Sequence, residues 1–307
     1  MSSGIQKLTT RAERAPEGRA FTAWAFGHHG EILQGIFYDE ARSTLQPGLI
    51  TLPYRVVYTE AVYVPGEGDL SVRPEGKRKA RRAAELTLAH LGARYRGGWL
   101  SLETHARQRR GLGSSTMDTL ATVRAVAAAH AHPLSADRMA SIAVAAEGAS
   151  DATMFDHPHL FAQRSGHVID HATAPLPQGT VLGLDLDPGG NGVDTLAAGP
   201  PPYSDEEVGV FRVLRSALDS SVRRNDITLL GAVATASAEI NQHHRRLSGF
   251  ETLKRIARRH RAVGVQIAHS GTVAGVLFDQ HSAADIKTCR DELTETFQDD
   301  ITEFAMG

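Results

Sequence analysis

The stretch Arg109-Arg110-Gly111-Leu112-Gly113-Ser114-Ser115-Thr116 decides the reading of this chain. Two glycines flank one leucine, two serines follow, and a long helical pattern begins. Gly111 and Gly113 let the backbone turn tightly and come close to a ligand, where a Cβ would collide. Ser115 with Asp118 reads as a capping box, so a helix is expected from Thr116 to His130, with Met117, Leu120, Val123 and Val126 on its buried face. A glycine turn opening such a helix aims free N–H groups and the positive end of the helix dipole at one spot, which suits a phosphate. The stretch is not a Walker A loop, because no lysine follows the second glycine. Nor is it the dinucleotide fingerprint, because Thr116 stands where the third glycine belongs.

Composition bounds the rest. With 307 residues the chain has length for two ordinary domains, and 41% hydrophobic with 22% charged residues is ordinary for a globular protein. A formal charge of −2 argues against general affinity for nucleic acid or anionic membrane. The basic clusters Lys77-Arg78-Lys79 with Arg81-Arg82, and Arg258-Arg259-His260-Arg261, read as solvated helix faces. A single cysteine, Cys289, excludes an internal disulfide framework and fits a reducing cytosol. No apolar run approaches the roughly 20 residues of a membrane span, so a cytoplasmic protein is expected.

Along the chain, Phe21 to Phe26 alternates as a strand, and Gly27-His28-His29-Gly30-Glu31-Ile32-Leu33-Gln34-Gly35 reads as a glycine-bracketed turn leading to a second strand. Leu49–Leu52 and Arg55–Val64 look like strands joined at Pro53, residues 66–76 like a loop, and Lys79–Leu91 like a helix. Ser135 is a candidate N-cap for a helix that Gly148 stops, with Met139, Ile142, Ala143 and Ala146 inward. At that helix's end stand Glu147 and Asp151. A carboxylate there opposes the helix dipole, so it is either solvated or held by a cation or a substrate hydroxyl. Helices are expected over 208–220, 227–242 and 283–297. Ala262 to Phe278 reads as strand, glycine turn, strand, with Ser270-Gly271-Thr272 at the turn. His157, His159, His167 and His171 match no zinc signature.

Three of these stretches, in order, resemble the motifs of the GHMP kinases, the superfamily of galactokinase, homoserine kinase, mevalonate kinase and phosphomevalonate kinase. They are the turn at Gly27–Gly35, the phosphate loop Gly111–Thr116 and the glycine turn at Ser270–Thr272. The form of the first, and Asp151-Ala152-Thr153-Met154-Phe155, resemble the L-threonine kinase branch that serves cobalamin synthesis. The family usually has a proline four residues ahead of its first loop glycine; here Arg107 stands there.

The resemblance implies an α+β, two-domain GHMP kinase fold. Its N-terminal domain, residues 20–178 after a loose tail at 1–19, would be ribosomal protein S5 domain 2-like, and its C-terminal domain, 179–307, ferredoxin-like. It implies ATP and Mg²⁺ as cofactors. Arg110, Gly111, Leu112, Gly113, Ser114, Ser115 and Thr116 would hold the nucleotide, Ser114 and Glu147 the metal, and Asp151 would take the acceptor's proton. His28, His29, Gly30, Glu31, Gln34, Ser270, Gly271 and Thr272 would line the substrate. The expected partner is a small alcohol, L-threonine first, with no nucleic acid and no membrane; a homodimer stays open. Competing readings are a kinase for homoserine or another specialised alcohol, a nucleotide-binding regulator without chemistry, and a decarboxylase that phosphorylates on the way.

Overall fold

The computed structural model describes residues 18–93, 97–105, 112–172, 174–187, 199–269 and 271–307. Arg109, Arg110, Gly111, Ser270 and most of the expected tail lie outside them. The order is β1 (Phe21–Asp39), β2 (Thr44–Gly66), β3 (Leu70–Arg73), α1 (Arg78–His90), β4 (Gly97–His105), α2 (Ser114–Ala129), α3 (Ala136–Glu147), β5 (Leu160–Ala162), β6 (His167–Asp170) and β7 (Gly179–Asp185). Then follow α4 (Asp205–Arg224), α5 (Ile227–His244), α6 (Phe250–Arg259), β8 (Gly264–Ile267), β9 (Val273–Asp279), α7 (Ala283–Phe297) and β10 (Thr302–Met306).

The strands run in the order β10-β7-β9-β8-β1-β2-β4-β3, with β5 and β6 attached to β2. Neighbours are antiparallel except β3 and β4. The two halves of the sheet meet at one residue pair, Glu31 opposite Ile267. Three main cores follow. One, with Tyr63, Leu100, Leu120 and Phe161, lies under α1 to α3. Another, with Leu184, Leu253, Val276 and Leu293, lies under α6 and α7. The third joins both halves, packing Ile32, Leu33 and Met117 with Leu230, Leu277 and Phe304. No helix of the described residues is long and apolar enough to cross a membrane.

Several local expectations change. The turn at Gly27–Gly35 is not a turn: β1 runs through it as a strand whose register slips around Gly27, His28 and Glu31. Gly30 makes the irregularity feasible, with φ of +67° and a Cβ position only 2.2 Å from Gln266 Oε1. Pro53 does not break β2, because it sits opposite His28 within the irregular stretch, where a regular ladder bond from its nitrogen is not required. Residues 66–76 contain β3, whose Leu70 and Val72 are buried in alternation. Helix α6 and strand β10 extend the expected set. Lys77 and Arg81 are not simply solvated, since Lys77 pairs with Asp118 at 2.5 Å and Arg81 donates to the Leu70 carbonyl.

The expected capping box is also absent. Helix α2 begins at Ser114 with Gly113 as its left-handed N-cap, and no side chain caps it. Asp118 is drawn instead into the interior, accepting from Thr59 at 3.0 Å, Thr104 at 3.1 Å and Lys77. Charge-assisted bonds to buried partners outweigh a cap that water can replace. Helix α3 does end as expected, with Ser135 accepting from the Arg138 N–H and Gly148 left-handed at its C-terminus.

Candidate active site

The site forms where the irregular stretch of β1, the first turn of α2, the loop after α3 and the β8–β9 turn converge. Gly113 is the pivot. At φ +73° it is a conformation that glycine adopts freely, and an added Cβ would lie 2.4 Å from His28 Cδ2 and 3.2 Å from Asp151 Oδ2. The His28 N–H donates to the Leu112 carbonyl at 3.3 Å, tying β1 to this loop. The first intrahelical bond of α2 runs from the Met117 N–H to the Gly113 carbonyl, so Ser114, Ser115 and Thr116 precede it with their N–H groups at the positive helix end.

Two carboxylates face this helix start and share one hydroxyl. Thr116 Oγ1 lies 3.3 Å from Glu147 Oε1 and 3.2 Å from Asp151 Oδ2, and it accepts from the Asp151 N–H at 3.3 Å. Ser115 Oγ donates to Glu147 Oε2 at 2.6 Å. Ser114, the expected metal partner of Glu147, is exposed at the first helical position, and the serine hydroxyl that meets Glu147, beside that of Thr116, is that of Ser115. The buried Glu147 carboxyl is pushed up to about 7, by burial first and then by Asp151, against the pull of Ser115.

Behind Asp151 lies a second layer of charge. His28 Nε2 is 3.0 Å from Asp151 Oδ2, and His28 Nδ1 is 3.7 Å from Glu31 Oε1. Glu31 accepts from the His269 N–H at 2.7 Å and sits 3.0 Å from His269 Nδ1. Burial lowers the His28 pKa, but Asp151 and then Glu31 outweigh it and raise it to about 9. Burial likewise pushes Asp151 up, and His28, His269 and Thr116 overcome it, holding this carboxyl well below the usual carboxylate range. His269 is raised by Glu31 and Asp151 in spite of burial.

The remaining expected substrate residues divide. Gln34 faces inward but is engaged with the fold, donating to the Ile267 carbonyl and accepting from Asn241 Nδ2 at 2.8 Å. With Asn241, Arg164, Arg245, Tyr203 and His269 it lines a cavity that also reaches Ala149, which stands between Glu147 and Asp151 in sequence. His29 points away, packed against Tyr54 and Phe304 with Nδ1 2.9 Å from Gln266 Nε2. Neighbours on a strand point to opposite faces, so His28 and His29 do not share one site. Thr272 is buried at the β8–β9 turn. His269, Asn241 and Arg245 were not singled out from sequence. Only the adjacency of His269 to the glycine turn could have marked it.

The residues present fit a nucleotide and a magnesium ion. The glycine pivot brings backbone against the site where a Cβ would fill it, and the free N–H groups of α2 suit phosphate oxygens. Glu147 is a buried oxygen ligand for a hard cation, which would offset the burial that raises its pKa.

Comparison with known proteins follows the same line. Residues 78–159 match the family model of the GHMP kinases N terminal domain. No curated protein matches the sequence. Among solved structures, homoserine kinase from Cytophaga hutchinsonii is similar at 14% identity over 98% of this chain and 97% of its own, with a TM-score of 0.69. Mevalonate kinase from methicillin-resistant Staphylococcus aureus aligns at 16% identity over 94% of this chain and 99% of its own, TM-score 0.60. A structure described as MDDEF in complex with MVAPP, AMPPCP and magnesium aligns at 14% identity over 94% of this chain and 97% of its own, TM-score 0.69. These likenesses span nearly the whole of each chain. Residues 78–159 thus carry the N-terminal domain signature of the GHMP kinases, and the chain as a whole has the α+β GHMP kinase fold.

Proposed function

We propose that the protein is an ATP-dependent phosphotransferase acting on the hydroxyl of a small molecule, with L-threonine as the first acceptor to test. The observation that carries this reading is the convergence of Glu147 and Asp151 on Thr116 at the open N-terminus of α2. Phosphoryl transfer needs placed phosphates, a cation to neutralise their charge and a group facing the attacking hydroxyl. The N–H groups of Ser114 to Thr116 would hold phosphate oxygens, and Glu147, with Ser115 or Ser114, would hold Mg²⁺. A bound Mg²⁺–ATP supplies the phosphoryl group and neutralises the charge that develops on it. Asp151 would accept a hydrogen bond from the acceptor hydroxyl. As the acceptor oxygen bonds to the γ-phosphorus, the bond to ADP breaks and the hydroxyl proton is released.

The acceptor is the finer part of the reading. The cavity lined by Gln34, Asn241, Arg164, Arg245 and His269 carries two arginines, of which Arg245 donates to the His269 and Gly199 carbonyls, and their positive charge favours an acceptor with a carboxylate such as an amino acid. The threonine choice rests on the motif likeness at Gly27–Gly35 and Asp151–Phe155. The test is ADP release with ATP and Mg²⁺ across L-threonine, D-threonine, L-serine, L-homoserine and mevalonate, with Asp151→Asn beside the wild type. Turnover with L-threonine that Asp151→Asn abolishes supports the full reading. Turnover with another acceptor removes threonine, and ATP binding without turnover on any acceptor favours a regulator.

A further inference from the structure

Asp151 is held in an unusual way for a group that is to receive a proton. Its Oδ2 is bound by His28 Nε2, and His28 is 3% exposed. The other ring nitrogen, Nδ1, is buried without a hydrogen-bond partner and looks across 3.7 Å to Glu31 Oε1. Glu31, itself 1% exposed, is fixed from behind by the main chain and side chain of His269. An imidazole between two carboxylates finds no donor on either side, so each ring nitrogen is best served by carrying a proton. The groups facing it are Asp151 from the loop after α3, Glu31 and the Gly30 main chain from its own strand and His269 from the β8–β9 turn; Leu112 and Gly113 of the phosphate loop close it off.

We propose that Asp151, His28, Glu31 and His269 form one positioning chain, in which His28 is a buried imidazolium that keeps Asp151 ionised and aimed at the acceptor hydroxyl. The inference rests on the kinase reading of Asp151, and it changes the role of two residues expected to line the substrate. Asp151 then orients the hydroxyl rather than storing its proton, which a loose phosphoryl-transfer transition state permits. The chain also links three segments of the site. The phosphate loop touches His28, the loop after α3 carries Asp151, and the β8–β9 turn holds Glu31. The same three acid and imidazole groups, His28, Glu31 and Asp151, have ligand atoms within 4.8 Å of one another and could instead surround a metal ion. A metal would require a bare ring nitrogen, so the two arrangements give opposite protonation of His28.

The first experiment does not depend on turnover. Nitrogen-15 NMR of the full-length, histidine-labelled protein at pH 7.5, in chelator-treated buffer and then with added Zn²⁺, reads the protonation of each ring nitrogen. The expected result is two protonated nitrogens on His28, one of them lost in Asp151→Asn, with no change on adding Zn²⁺. A neutral His28 in the wild type, or its shift on adding Zn²⁺, overturns the proposal.

The second experiment uses the kinase assay with the acceptor that turns over. His28→Gln and Glu31→Gln are each expected to lower kcat about 100-fold, as misplacement of a reacting group by about 1 Å does, with the KM for ATP unchanged. The double variant should fall little further, because the residues act as a unit. Additive losses, or a changed KM for ATP alone, overturn the chain. His28→Lys returns a cation beside Asp151 and should recover part of the loss, which a variant damaged only in folding would not. If the wild type turns over no acceptor, the kinase reading fails, and the NMR result still decides the chain.

Discussion

Gly113→Ala puts the geometry of the site to a quantitative test. Its φ of +73° costs an alanine about 1–2 kcal/mol. Gly76, at φ +87° with no atom within 4 Å of its Cβ position, provides the control, since alanine there meets the same strain and nothing else. At Gly113 the new methyl would lie 2.4 Å from His28 Cδ2 and 2.9 Å from Nε2. The ring must leave its place, which costs about 0.5–1.5 kcal/mol in side-chain strain. It also gives up a charge-assisted bond to Asp151 that contributes about 1.5–3 kcal/mol. The excess of Gly113→Ala over Gly76→Ala is therefore about 2–4.5 kcal/mol, or roughly 3–7 °C in Tm for a chain of this size. Turnover should fall about 100-fold or more, as displacement of a reacting group by about 1 Å does. Scanning calorimetry of both variants, with kcat beside it, makes the comparison. Equal Tm losses for the two would refute the close approach of Gly113 to His28.

Asp151→Asn should lower kcat by roughly 10²–10⁴-fold while ATP binding, read by calorimetry, is retained. The raised His28 pKa contributes stability that is complete below about 6.5 and is lost as pH rises through about 9, so the Tm of the wild type should fall across that window and that of Asp151→Asn, which keeps only the pull of Glu31, should fall less. Glu147 gives a slope of the same sign by a destabilising route, its buried ionised form: raised to about 7, it makes the metal-free protein lose stability as pH rises from about 4.5 to 7. Glu147→Gln should abolish that slope and exceed the wild type in Tm at pH 8, and Mg²⁺ with ATP should reverse the order. Leu120→Ala, a fully buried site in the core beneath α2, should cost about 2–5 kcal/mol in chemical denaturation and leave the KM for ATP unchanged.

Sequence alone determined the features set by local chemistry. The glycines and hydroxyls of the loop, the small-residue face of α1, the stop at Gly148 and the paired acids at Glu147 and Asp151 depend on neighbours within a few residues, and these are written directly in the chain. The order of three such stretches was enough to point to the fold. Tertiary structure decided what depends on distant partners. The glycine-rich stretch at Gly27 reads as a turn until β2 pairs along its length and Gln266 crowds Gly30. Asp118 reads as a cap until Lys77, Thr59 and Thr104 surround it. Adjacent His28 and His29 look alike in sequence, yet the strand sends one to Asp151 and the other to Tyr54 and Phe304. His269 gained its role from Glu31, which lies 238 residues away in sequence. Electrostatics between buried groups acts over a few ångströms in space and not along the chain, so only the folded molecule sets the charge on His28 and the acidity of Asp151.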